Sequence, residues 1–207
     1  MSKAKKVQEI QNRYRVTNNS NKKEEHLIKR LIAGEESAYR QVMDKYRQPV
    51  LRLCRGFTGS SDDAEDLAQD VFLEVFSSIG KFKGKALIST WIYRIAVNKS
   101  LNFVRDRGKR IHVKYTSEVD NEIKHGIGDS ADKRLTQKEH ARVLHIALDR
   151  LPSAQRTAFV LSKYEDMKYH EIAEVMKISV SAVESLLFRA KRNLQDKLLD
   201  YYKKNLE

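Results

Sequence analysis

Four carboxylates stand at four-residue steps in this chain, Asp62, Asp66, Asp70 and Glu74, with Gln69 among them. A polar and basic series follows at steps of three or four: Arg94, Asn98, Asn102, Arg105 and Lys109. Carboxylates in a row can bind divalent metal, stay solvated, or dock on a basic protein. Arginine and lysine meet phosphates, asparagine can hydrogen-bond base edges, and aromatic rings stack on unpaired bases. The basic series is preceded by Lys81-Phe82-Lys83-Gly84-Lys85, a basic loop with an aromatic residue, and then by Trp91. Opened, single-stranded DNA is the substrate that uses phosphate, base-edge and stacking contacts together.

A third group lies near the C-terminus. Tyr169 to Met176 reads as a short helix, Lys177-Ile178-Ser179 as a turn, and Ser179 is placed to cap the helix that follows. Small Ala173 stands where two helices would cross, and Val183, Leu186 and Leu187 would anchor the second on the first. That is the pattern of a helix-turn-helix. Ser179, Ser181, Ala182, Glu184 and Ser185 then sit near the exposed start of the recognition helix, where base contacts are made. Arg189, Lys191 and Arg192, further along, suit phosphates.

These groups need helices to hold them. Ala64, Leu67, Ala68, Val71, Phe72, Val75 and Phe76 recur at helical spacing, so a helix from Asp62 to Ile79 buries that face and turns the acidic stripe outward. Stacked like charges cost an isolated helix roughly 0.2–0.5 kcal/mol per pair. In a protein of net charge +12 such a stripe invites a basic partner, although a solvated acidic face would look the same. A two-metal site needs ligands that converge, which one exposed helix rarely provides. Along the basic ridge, Ile92, Ala96 and Phe103 form one apolar line and Val97, Leu101 and Val104 another. The plain alternative is a charged surface helix with Trp91 in the core.

The chain of 207 residues is 41% hydrophobic and has only two prolines and eight glycines, which favours helices over a turn-rich β fold. We expect an all-α protein of two small helical domains joined by a flexible linker. Residues 1–23 read as a basic tail, with Val7, Ile10 and Tyr14 able to line one face of a short helix. A first domain spans 24–110. Leu27, Ile28, Leu31 and Ile32 mark its first helix, stopped near Gly34, and Pro49 must start a new segment or kink the old one. Ser61 or Asp62 can cap the acidic helix. Scattered apolar residues, Gly126 and Gly128 make 111–134 the linker, and 135–203 the second domain, where Pro152 ends the stripe Leu144, Leu148, Leu151.

Several classes are set aside. Cys54 is the only cysteine, so there is no intrachain disulfide or cysteine metal cluster, and its neighbours Val50, Leu51 and Leu53 point to a buried thiol. No stretch approaches the roughly 20 apolar residues of a membrane span, and the N-terminus lacks the apolar core of a signal peptide, so a cytoplasmic address is expected. His140 and His145 are five apart, a poor spacing for one helix face, and His170 is expected at the surface or in helix-turn-helix packing. No nucleotide-binding glycine loop or nucleophile constellation is present, so neither a cofactor nor catalysis is expected.

The three blocks occur in one order, and over roughly Glu24 to Leu199 the chain resembles the extracytoplasmic-function sigma factors, the small two-domain bacterial group. Asp62-Asp63-Ala64-Glu65-Asp66-Leu67-Ala68-Gln69-Asp70-Val71-Phe72 is similar to the family's polymerase-binding segment. Thr90-Trp91-Ile92-Tyr93-Arg94-Ile95-Ala96-Val97-Asn98 resembles its promoter-melting and −10-reading segment, and Leu151-Pro152 with Tyr169 to Arg192 its −35-binding domain. The resemblance implies that the helix around Asp66, Gln69 and Asp70 docks on the clamp of bacterial core RNA polymerase. It implies that the loop Phe82 to Ser89, with Asn98, holds an unstacked −10 base, and that the recognition helix enters the −35 major groove. The linker would thread through the polymerase near the new transcript. The family commonly employs an anti-sigma protein, which would cover the polymerase- or DNA-binding faces.

Three positions depart from the pattern. Lys177 stands at a turn position often held by glycine, and Glu184 and Leu186 replace residues that are basic in many relatives, so no −35 sequence preference carries over. Two other classes compete: a DNA-binding regulator that acts alone, and a metal-dependent nuclease using Asp66, Asp70 and Glu74.

Overall fold

A computed structural model describes residues 22–117 and 133–205. Eight α-helices and one 3-10 turn make up the described residues: α1 (22–32), α2 (Glu36–Thr58), α3 (Ser61–Ser78), the turn Ile79–Lys81, α4 (Ile88–Ser117), α5 (Lys133–Asp149), α6 (Ser153–Lys163), α7 (Tyr169–Met176) and α8 (Val180–Asn205).

The breaks follow from local chemistry. α1 ends ahead of Gly34, which takes φ +78°. α2 then runs without interruption through Pro49, neither restarting nor ending there. The proline removes one amide donor from the helix. Burial of Val42, Tyr46, Val50, Leu53 and Phe57 along one face holds the helix together across it. α3 is capped one residue earlier than expected: Ser60 Oγ, not Ser61 or Asp62, accepts from Asp63 N at 3.3 Å. α4 continues to Ser117 because nothing between Ile111 and Ser117 breaks a helix, so its last turns occupy the start of the stretch read as linker. Residues 118–132 and the tail up to Asn21 lie outside the described residues.

Pro152 precedes α6, as a residue that cannot continue α5 should. At the start of α7, Glu171 Oε2 accepts from Lys168 N at 2.7 Å. The tight turn between α7 and α8 places Lys177 at φ +57°, where glycine would be unstrained, and Ser179 Oγ accepts from Ala182 N at 3.1 Å to cap α8.

One lobe is α1–α4, with Leu31, Val42, Val50, Leu53, Phe57, Val71, Val75 and Ile92 inside. The other is α5–α8, with Leu148, Leu161, Ile172, Val183, Leu187 and Leu194 inside. Helix α2 meets α6 through Gly56, where an added Cβ would stand 2.7 Å from Val160 Cγ1. Only glycine permits that approach. Cys54 is buried, and desolvation pushes its thiol up to about 12. That thiol stays protonated and inert.

Candidate nucleic-acid interface

Helix α3 turns its apolar face into the core and leaves Asp62, Asp66, Gln69 and Asp70 exposed. Glu74 is half-buried and pairs with Lys99 of α4 at 3.4 Å, so it leaves the stripe for a local ion pair. Beside the stripe runs an apolar groove of about 360 Å³, lined by Met43, Leu51, Ala68, Phe72, Leu73 and Phe76, with Arg47, Glu65 and Gln69 at its edge. Leu73 is 68% exposed at its lip. Acidic stripe and apolar groove adjoin on one face, the arrangement an amphipathic basic helix would fit. Among the described residues no three His, Cys, Asp or Glu side chains are disposed to share a metal ion.

The basic loop follows the 3-10 turn. Phe82 N donates to Ile79 O at 3.0 Å, and the Phe82 ring rests on Trp91 with centroids 5.2 Å apart. Lys83 and Lys85 stay exposed, and Gly84 turns the loop at φ +65°. On α4, Asn98, Asn102 and Arg105 are exposed in one line. The Lys109 side chain lies outside the described residues. Arg94, expected on the same ridge, is half-buried, and its Nη2 donates to Glu174 O of α7 at 2.7 Å. In the second lobe, Ser179, Ser181, Glu184, Ser185, Arg189, Lys191 and Arg192 are exposed along α8, with Ala182 half-buried. The structure thus leaves the candidate −35 face open and ties one candidate −10 residue to the opposite lobe.

Contact between the lobes is the feature that sequence reasoning missed. Glu165, in the loop between α6 and α7, has its side chain only 1% exposed and accepts from Arg52 Nε at 3.1 Å and Arg52 Nη2 at 3.2 Å. Tyr93 OH also donates to Glu165 Oε2 at 2.9 Å. Burial raises the Glu165 carboxyl above its ordinary range, while Tyr93 and Arg52 pull it back. A buried carboxylate is tolerated when its oxygens are filled in this way. Arg156 is buried as well: Nη2 donates to Phe57 O at 2.6 Å, Nη1 meets Asp149 Oδ1 at 2.6 Å, and its guanidinium lies over the Phe57 ring. Arg107 reinforces the seam, donating to Thr58 O and to Asp149 Oδ2, both at 2.9 Å. Apart from Asp149 and Arg156, these partners lie 42 to 113 residues apart, beyond any helical spacing. The one available signal was the unusual packing demand of Gly56 in the middle of an apolar face.

His145 packs on Gly59, and its buried Nδ1 has no hydrogen-bond partner. Burial first, and Arg156 next, lower its pKa below the ordinary value of 6.5. The folded protein therefore prefers neutral imidazole. That preference contributes its full stability above the unfolded value and is lost as pH falls through about 6.5 and below. Thermal melts from pH 7.5 down to about pH 5.5 should show a steeper fall in Tm for the wild type than for His145→Gln. Parallel curves would remove histidine from the seam's pH response.

The family descriptions that match are Sigma-70 region 2, over residues 42–110, and Sigma-70 region 4, over residues 141–194. The RNA polymerase sigma-H factor of Pseudomonas aeruginosa is 31% identical over 181 residues, covering 85% of this chain and 93% of that protein. The ECF RNA polymerase sigma-E factor of Haemophilus influenzae is 29% identical over 178 residues, covering 83% and 93%. Among solved structures, CnrH in complex with the cytosolic domain of CnrY aligns with a TM-score of 0.62 at 21% identity, over 86% of this chain and 97% of that one. The sigma factor RpoE bound to the anti-sigma factor NepR from Bartonella quintana aligns with a TM-score of 0.55 at 20% identity, over 77% and 96%.

Proposed function

This chain belongs to the extracytoplasmic-function group of the sigma-70 family and is an RNA polymerase sigma factor, and we propose that three of its surfaces divide the work of initiation. The acidic face of α3, with Asp62, Asp66, Gln69 and Asp70, docks on core RNA polymerase, Glu74 being held back by its pair with Lys99, and the adjoining groove takes an apolar side chain of that partner. The loop residues Phe82, Lys83 and Lys85, with Trp91, Arg94, Asn98, Asn102, Arg105 and Lys109, hold the melted −10 strand. Ser179, Ser181, Ala182, Glu184 and Ser185 face −35 bases in the major groove, while Arg189, Lys191 and Arg192 grip its phosphates. In domain terms, 24–110 carries the polymerase and −10 work and 135–203 the −35 work, joined through 111–134. Polymerase supplies the catalysis, in the cytoplasm. An anti-sigma protein of this chain would cover the same α3 face.

The observation that carries this reading is the division of charge on one helical bundle. An acidic stripe with an apolar groove occupies α3, while exposed basic and amide side chains with a tilted aromatic pair occupy the loop and α4. A lone DNA-binding regulator would use only α7 and α8. Because Arg94 is held by Glu174, the two lobes part when the −10 strand is bound.

The polymerase role is tested by reversing Asp66 and Asp70 to lysine and measuring binding to core polymerase by fluorescence anisotropy. We expect at least about a tenfold loss, on the order of 1.4 kcal/mol, with an unchanged helical spectrum. Wild-type affinity in the folded variant would return the stripe to a merely solvated face.

A further inference from the structure

Helix α1 lies ahead of both matched family segments, yet it grips the loop assigned to the −10 strand. Glu24 Oε1 accepts from Ile88 N at 2.5 Å, across 64 residues. Ile88 opens α4, and its amide is one of the donors that a helix start leaves without an internal partner. A carboxylate there also meets the positive end of the helix dipole. The loop is thereby fixed at both ends. Phe82 is held by Ile79 and Trp91 on one side; on the other, Glu24 holds Ile88, and Trp91 N donates to Leu87 O at 3.1 Å.

Between the loop and α1 is a cavity of about 540 Å³, whose walls include Glu24, Glu25, Ile28, Phe82, Lys85 and Leu87. It combines apolar surface for a ring with carboxylates for its edge. Lys81, Lys83 and Lys85 are exposed along the same loop, where they can take the phosphates that the carboxylates would repel. Glu25 already pairs with Lys29 at 2.9 Å, while Glu24 Oε2 engages no other side chain among the described residues.

We propose that Glu24 is a positioning residue for the −10 base, fixing the loop and selecting, with its second oxygen, a flipped base that carries an exocyclic amino group. This rests on the reading of the loop as the base holder. A carboxylate can only accept hydrogen bonds. Cytosine, adenine and guanine each offer it an amino group. Thymine offers a single ring N–H flanked by two carbonyls that repel a carboxylate.

The test uses the full chain with core polymerase and promoters in which each −10 position carries each of the four bases in turn, opening being read by a fluorescent base analogue. The wild type should prefer amino-bearing bases over thymine by about tenfold at one position. Glu24→Ala and Glu24→Gln should flatten that preference to within roughly threefold, and Glu24→Asp should restore part of it, core affinity staying unchanged in all three. A uniform fall in rate with the base profile intact would make Glu24 merely structural and overturn the proposal. Phe82→Ala separates the two readings. If it changes the profile and the Glu24 variants do not, the inference about Glu24 fails alone. If neither changes it, the base-holding reading fails too.

Discussion

A chain carrying Gly59→Cys and His145→Cys will open promoters when reduced and lose at least about tenfold of that activity when oxidised. A Cβ built at Gly59 stands 3.3 Å from His145 Cβ, close to the separation that a disulfide spans. The bridge would staple the end of α2 to α5 and hold the lobes in contact, with Arg94 kept on Glu174 O. Cys54 does not compete, because it is buried and its thiol is pushed up to about 12. Gly59 has φ +72°, so a cysteine there costs roughly 1–2 kcal/mol in either redox state, and the return of activity on reduction separates the bridge from that strain. Full promoter opening by quantitatively oxidised protein would show that initiation does not require the lobes to part.

Arg156→Ala should destabilise the protein by about 3 kcal/mol and lower its Tm by roughly 6–12 °C. The side chain is 3% exposed and fills three roles, closing Phe57 O, pairing with Asp149 and covering the Phe57 ring. Its removal leaves a buried carbonyl without a donor and a cavity against an aromatic ring. Asp149 keeps Arg107, which holds the figure below that for a fully isolated buried charge. Arg107→Ala is the comparison: its side chain is 31% exposed, and its loss should cost no more than about 1 kcal/mol. Equal melting shifts for the two variants would mean that Arg156 gains nothing from its burial.

Much of this structure was legible in periodicity. The apolar spacing from Ala64 to Phe76 located α3 and the side its carboxylates face, and Ser179 and Ala173 marked the helix-turn-helix through capping and close crossing. Those signals are local, acting over three or four residues. Pro49 starts no new segment for a physical reason: proline removes one donor, but a helix buried along its length tolerates that loss. The end of α4 was blurred because sparse apolar residues lower the pattern without breaking a helix. Glu165 escaped notice altogether. It lies in a short loop, and its partners Arg52 and Tyr93 are 113 and 72 residues away. Arg94 matched the ridge by spacing, and only the opposite lobe reveals that its guanidinium already has an acceptor.

The meeting of Gly56 and Val160 joins parts of one chain, so the closed fraction does not depend on how much protein is present. Dilution cannot part the lobes; only a ligand that favours the parted form can. Thermodynamic reciprocity then binds the partners to one another: whatever factor polymerase adds to the affinity for −10 DNA by parting the lobes, that DNA adds to the affinity for polymerase. A cell that makes more of this chain gains closed and open copies in the same proportion.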